Sequence, residues 1–536
     1  MQITFIKMNK LALVVFVLMV TLVVSSETED AHDFYKYHSL IKKYGNSLDE
    51  FSEIVTQNST EAKVRKYWED RKQIMAKDQS YRFTRDVPTL TPDEEIVNAY
   101  LETLRNEVIH IDDSPLLLEF FEGQKIIKDT ELHEFFKKMP KGGEMHVHLE
   151  GAVALDTMIK FTYSDYVYFN VEKQEFKTVP KGLDEKGFLR CNELRQIWGS
   201  NATFDNYLRK IFVMQPEEIS SKQIHEIWKP FEGKFILNDP IIHYYEFYKL
   251  GLLDFCRQSI RDGIYIVEIR HASGRIFDEN NKILSLKDEF ELYKSALEEI
   301  KQEYPDFQLA IIVAALKNQG KQHVRDQLDS YLYAMDHGYE FVTGFDLVNE
   351  EDNVQPIHNF VEEIIKAKQG YPDFKFYFHA GESNRRSNEN LYDAILMGTK
   401  RVGHGFNLAL KPHLIDLVVE RDIGYEICPI SNFILGYTQD MRWHPGKQLI
   451  SKGVPLTLNS DCSVFYNYDG VALDFTYAFL AWELDLKDMK QLAINAVTHS
   501  SIKPKAKSMM LTKFHRDWNK FISSVVESHG DLSKIV

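Results

Sequence analysis

From about residue 140 onward the chain alternates short apolar runs with helical stretches, and this rhythm restricts the possible folds more than any other feature. The runs are 144–148, 264–269, 308–314, 341–347, 375–379, 402–404, 425–428 and 455–459. Several are rich in β-branched and aromatic residues and all are too short for a helix, so each reads as a strand. Helical periodicity fills the gaps, for example over 289–302, 358–368 and 391–397. Eight strands separated by helices predict an α/β fold of the (β/α)8 TIM-barrel type, with the strand C-termini facing one mouth. A doubly wound sheet is the alternative, and it accounts less well for what stands at the strand ends.

Four of the eight runs end in residues that bind metals or move protons: Met145-His146-Val147-His148, Phe378-His379-Ala380-Gly381-Glu382, Gly403-His404-Gly405 and Leu458-Asn459-Ser460-Asp461. Alternate side chains of a strand share a face, so His146 and His148 can reach one ion. His379 and Asp461 complete a set of three imidazoles and one carboxylate, which suits zinc best and iron less well. Alone, His379 reads as a core histidine and Asp461 as a turn residue; their recurrence at strand ends favours the metal. Glu382 follows a glycine that permits a tight turn, and a half-buried carboxyl there is suited to donating a proton. His404, flanked by glycines, is placed to assist water activated at a metal.

The flanking segments supply the domain plan. Lys7 and Lys10 precede the stretch 11–24, in which only Thr21 is polar, and Ser25-Ser26-Glu27 follow. This is the pattern of a secretory signal over residues 1–26, shorter than the roughly 20 apolar residues of a membrane span. Residues 27–125 read as helical. Asp93-Glu94-Glu95 opens a helix with Ile96, Val97, Tyr100, Leu101, Leu104 and Val108 at helical spacing, and a second helix is expected to start at Asp112-Asp113-Ser114-Pro115. The barrel is expected over 126–520, interrupted by an insertion at 155–235 that lies over its mouth. A net charge of −16 argues against nucleic acid as a partner. The four cysteines, Cys191, Cys256, Cys428 and Cys462, form no CxxC pair. Sequons at Asn58 and Asn201 are candidate glycosylation sites.

Together with Met139-Pro140-Lys141-Gly142-Gly143, Gly344-Phe345-Asp346-Leu347-Val348 and Cys428-Pro429-Ile430-Ser431-Asn432, the four segments resemble the adenosine/AMP deaminase family of metal-dependent hydrolases, in particular its secreted growth-factor branch. The resemblance implies one Zn2+ per chain held by His146, His148, His379 and Asp461. It makes Glu382 the proton donor to purine N1 and His404 the assistant of the attacking water, so that adenosine (and 2′-deoxyadenosine) becomes inosine (and its deoxy form) plus ammonia. Trp228 then resembles an aromatic wall of the nucleoside pocket, and Glu150 a ribose contact. Asn349 stands where the family has a glycine whose N–H meets purine N3. Cys462 replaces a second aspartate that bonds purine N7, Ser463 replaces a proline, and Leu149 occupies a position often acidic in the secreted branch. A thiol is a weak donor. The resemblance also implies a homodimer formed through the helical amino-terminal region, and a cell-surface receptor or glycosaminoglycan as a further partner. The alternatives are a catalytically weak secreted factor that binds nucleoside or receptor, and a metal-dependent hydrolase with another substrate.

Overall fold

A computed structural model of the chain describes residues 62–111, 114–220 and 223–528; the signal-like stretch and the Asn58 sequon lie outside the described residues. The chain divides into two units, 1–80 and 81–536. The described part of the first is the helix Ala62–Gln79, which buries none of its residues, and Ser80 after it.

The second unit is built on eight parallel strands: β1 (Gly142–His148), β2 (Ile264–His271), β3 (Gln308–Leu316), β4 (Val342–Val348), β5 (His379–Ala380), β6 (Arg401–His404), β7 (Gly424–Ile427) and β8 (Leu456–Leu458). They form two four-stranded sheets of order β1-β2-β3-β4 and β8-β7-β6-β5. Isolated bridges link the sheets at both margins, Val147 to Asp461 and Phe345 to Phe376. At the first, Asp461 N–H donates to the His146 carbonyl and His148 N–H to the Asp461 carbonyl, each at 3.1 Å. The strands are buried along nearly their whole length, as parallel strands covered on both faces must be. All eight fall on the apolar runs. The fifth is shorter than 375–379: regular pairing is confined to His379–Ala380, and Phe376 meets β4 through an isolated bridge.

The helix Pro92–Ile109 starts on a capping box between Thr91 and Glu94. Its apolar stripe, Val97, Leu101, Leu104 and Val108, is buried within this chain. Glu94 accepts bonds from Trp518 Nε1 at 2.7 Å and Lys490 Nζ at 2.6 Å, which pins the helix to Pro504–Ser528 and Leu486–Thr498. The next helix begins at Phe120 rather than just after Pro115. The Glu119 carboxylate accepts the Phe121 N–H at 3.0 Å and sets the cap there, after turns at 115–118.

Between β1 and β2 the insertion carries a three-stranded antiparallel sheet with Val167–Asn170 between Glu175–Thr178 and Leu189–Arg190. Its last helix, Ile224–Ile242, runs past residue 235. Among the described residues, no helix is long and apolar enough to cross a membrane.

Candidate active site

The donor-bearing strand ends meet at one place. One nitrogen each of His146, His148 and His379 lies within 4.8 Å of the others. The Asp461 carboxylate stands 3.5 Å from His148 Nε2 and 3.7 Å from His146 Nε2. His146 Nε2 is buried without a hydrogen-bond partner, as a nitrogen reserved for an ion would be. Three imidazoles and a carboxylate at this spacing fit one tetrahedral zinc.

The other ring nitrogens are held from behind. His146 Nδ1 is 2.8 Å from Glu426 Oε2, and His379 Nδ1 is 2.6 Å from Asp346 Oδ2. Between these two carboxylates lies buried Arg270, 3.2 Å from Asp346 and bonded to Glu426, while Arg401 reaches Glu426 at 2.5 Å. Such carboxylate–histidine pairs fix ring orientation and tautomer. Burial, with the Arg270 charge close by, holds both imidazoles well below their usual pKa. They are therefore neutral, the form a metal binds. Asp461 Oδ2 accepts a bond from Ser431 Oγ at 2.8 Å.

Glu382 and His404 sit beside this set. Gly381 has φ +78°, and a Cβ there would come within 2.5 Å of Asn407 Oδ1, so the turn that raises Glu382 requires glycine. Gly403 is small for a different reason: a Cβ would stand 2.9 Å from the His146 ring. Glu382 is buried, its Oε1 unpartnered and 3.5 Å from His404 Nδ1. Burial, reinforced by the Asp461 and Glu351 carboxylates, pushes its pKa well above the ordinary range. That direction favours the protonated form, the one with a proton to give.

A hydrogen-bond chain fixes His404. The Gly446 N–H can only donate, so His444 Nδ1 accepts it at 3.0 Å and His444 Nε2 carries the proton. That N–H donates to Asn432 Oδ1 at 3.2 Å, which turns Asn432 Nδ2 toward His404 Nδ1 at 3.1 Å. His404, held neutral by burial, therefore keeps its proton on Nε2.

Above the four donors opens a cavity of about 300 Å³, within the range of small-molecule sites. Trp228, Phe231 and Phe235 line it from one face of the Ile224–Ile242 helix. Trp228 Nε1 donates to Tyr437 OH at 3.0 Å. Glu150, Asn349 and Cys462 line it too, and His146 lies beneath, fully buried. Burial opposes ionisation of Glu150, but His243 at 3.3 Å and the Arg275 charge hold its pKa well below the usual range. Cys462 stays a neutral thiol because burial and the Asp461 carboxylate raise its pKa. Asn349 has φ +101° and reaches across to Glu232 at 3.5 Å. Every residue assigned to metal, proton transfer or substrate from the sequence thus borders one site. Asn201 is exposed at the first turn of Asn201–Phe212, and all four cysteines are free and buried.

Sequence reading missed Phe231 and Phe235, three and seven residues after Trp228, where helical spacing alone would have found them. It also missed Arg270, Glu426, Asn432 and His444, which meet the site only across the fold and carry no local signal.

The family model described as adenosine deaminase matches residues 215–516, more than half the chain and including His379, Glu382, His404 and Asp461. The chain belongs to the adenosine deaminase family. It is 28% identical to adenosine deaminase 2 of Dictyostelium discoideum, over 88% of this chain and 89% of that one. To human adenosine deaminase 2 it is 26% identical, over 81% and 89% respectively. In fold it is similar to a zinc-bound amidohydrolase from Burkholderia ambifaria, with TM-score 0.56, 14% identity and coverage of 74% of this chain and 95% of that one. An adenine deaminase from Arthrobacter aurescens gives TM-score 0.53 at 16% identity, over 71% and 99%.

Proposed function

We propose that this protein is a secreted, zinc-dependent adenosine deaminase that hydrolyses adenosine and 2′-deoxyadenosine. Family membership supports the reaction class. The observation that carries the reading is Glu382: a buried carboxyl with an unpartnered oxygen 3.5 Å from His404, beside three histidines and Asp461 that fit one metal, bordering an aromatic-walled cavity.

His146, His148, His379 and Asp461 would hold the zinc, which when bound polarises water as a Lewis acid. The chain's own residues do the rest. Trp228 and Phe231 offer faces to the purine, and Glu150 with Arg275 takes the ribose hydroxyls. Glu382 passes its carboxyl proton to ring N1, which makes C6 electron-poor toward water. His404 orients that water by donating from Nε2–H. Water adds at C6; one of its protons passes to the amino group, which leaves as ammonia, the other returns to the Glu382 carboxylate, and inosine protonated at N1 remains.

The same reading joins the two sheets into one (β/α)8 barrel, has residues 1–26 direct export, and has Asn58 and Asn201 carry glycans. It takes the functional unit as a homodimer, with a receptor or glycosaminoglycan as a further partner. One observation favours a second reading, a catalytically weak nucleoside-binding factor: the pocket presents the neutral Cys462 thiol where the family presents an aspartate.

The test is conversion of adenosine to inosine by purified, zinc-loaded protein, with Glu382→Gln as control. The variant should keep its zinc and lose about 10²–10⁴-fold in kcat. Normal turnover by the variant would remove Glu382 from its role, and no turnover by zinc-loaded wild type would favour the binding factor.

A further inference from the structure

β4 and the loop after it send two carboxylates, Asp346 and Glu351, to the segment that carries His379 and Glu382. Asp346 holds the metal side, accepting His379 N–H at 2.7 Å and meeting its Nδ1. Glu351 holds the other side. Its Oε1 accepts the Glu382 N–H and its Oε2 the Gly381 N–H, both at 2.9 Å. Oε2 also accepts Asn388 Nδ2 at 3.1 Å and Asn390 Nδ2 at 2.7 Å, so four donors converge on one carboxylate. Glu351 is 4% exposed and does not line the cavity, so it has no direct contact to offer a substrate there. Four charge-assisted bonds to a buried carboxylate are far more than a turn needs for connectivity.

We propose that Glu351 is a positioning residue that clamps the Gly381–Glu382 backbone and thereby aims the Glu382 carboxyl at the substrate ring. This rests on the reading of Glu382 as proton donor. The division of labour between Asp346 and Glu351 gives it a distinct signature: disturbing Glu351 spoils proton delivery and leaves the metal set in place. Glu351→Gln preserves size but offers one acceptor oxygen where two are used, so one of the two backbone amides loses its partner.

The experiment is a double-mutant cycle on the zinc-loaded protein with Glu351→Gln and Glu382→Gln, alongside hydrogen exchange of the 379–383 amides. Glu351→Gln should cut kcat at least tenfold, with KM within about threefold and zinc content unchanged. In the Glu382→Gln background it should cost nothing more, because it acts through Glu382. Glu351→Asp, which keeps the charge, should recover part of the loss and carries the cycle if the glutamine variant fails to fold. Exchange at Gly381 or Glu382 should quicken at least tenfold, a readout that needs no turnover. Unchanged exchange, or losses that multiply in the double variant, would overturn the clamp. Slow turnover that ignores Glu382→Gln while exchange quickens would instead overturn the choice of proton donor.

Discussion

Asn349, His404 and Asp461 all have positive φ, at 101°, 58° and 60°, and all three line the cavity. Left-handed backbone at non-glycine residues costs of order 1–3 kcal/mol and persists where surrounding structure enforces it. For His404 and Asp461 the enforcement is visible, in the Asn432 bond and in the bridge to β1. Asn349 has only long contacts, 3.4 Å from the Asn318 N–H and 3.5 Å to Glu232. The other departure, Cys462, packs so closely on Gly151 that a Cβ there would stand 2.6 Å from the cysteine Cβ. If the proposed substrate lies as the family pattern implies, purine N7 meets this thiol instead of a carboxyl. A well-made bond to a buried acceptor exceeds a thiol contact by about 1–3 kcal/mol. Cys462→Asp should therefore raise kcat/KM for adenosine by roughly 5–150-fold. No gain, measured with zinc content matched to wild type, would mean the pocket has been reshaped around the thiol for another ring.

Helices report a different kind of constraint. Glu131–Lys138 buries His133 against Ala472–Trp482, with His133 Nδ1 3.0 Å from Thr476 Oγ1. Burial, with Lys137 nearby, lowers this imidazole to about 4. The folded pKa lies below the unfolded value of about 6.5, so the unfolded chain takes up the proton first as pH falls. Stability is thus whole above about pH 6.5 and drains away toward pH 4, by up to about 3 kcal/mol. Melting temperatures at pH 7 and pH 4.5 should fall less steeply in His133→Gln than in wild type; equal slopes would assign the acid sensitivity to other groups. None of this was legible in the sequence, because His133 has an ordinary local context. What was legible is what repeats or ends abruptly. Eight apolar runs gave eight strands, and glycines beside His404 and Glu382 marked turns. The start at Phe120 was hidden because Pro115 is as good a first-turn residue as any, and only the Glu119 side chain decides the matter. Of the orienting partners, Asp346 and Glu426 lie within buried strands and Asn432 in the short helix Pro429–Ile434, and spacing alone does not say which ring nitrogen each one faces.

At the scale of the molecule, the four proposed ligands are divided between the two sheets. His146 and His148 belong to β1 of the first, whereas His379 belongs to β5 and Asp461 follows β8 of the second. Regular pairing stops at both margins, where isolated bridges and side-chain bonds such as Asp346 to His379 link the sheets. An ion held by all four would add a covalent-strength tie across the Val147–Asp461 margin. It would also relieve the unpartnered His146 Nε2. Binding confined to the folded state stabilises by about 3–4 kcal/mol at 100–1,000 times Kd. Removing zinc with a chelator should therefore lower Tm by several degrees and abolish turnover together, and stoichiometric zinc should restore both. His379→Ala should melt near the chelated wild type and respond little to added zinc. If verified loss of metal left Tm where it was, the ligand set would not be spanning the two sheets, and the stability of the margin would have to come from the bridges and the buried Asp346–Arg270–Glu426 network alone.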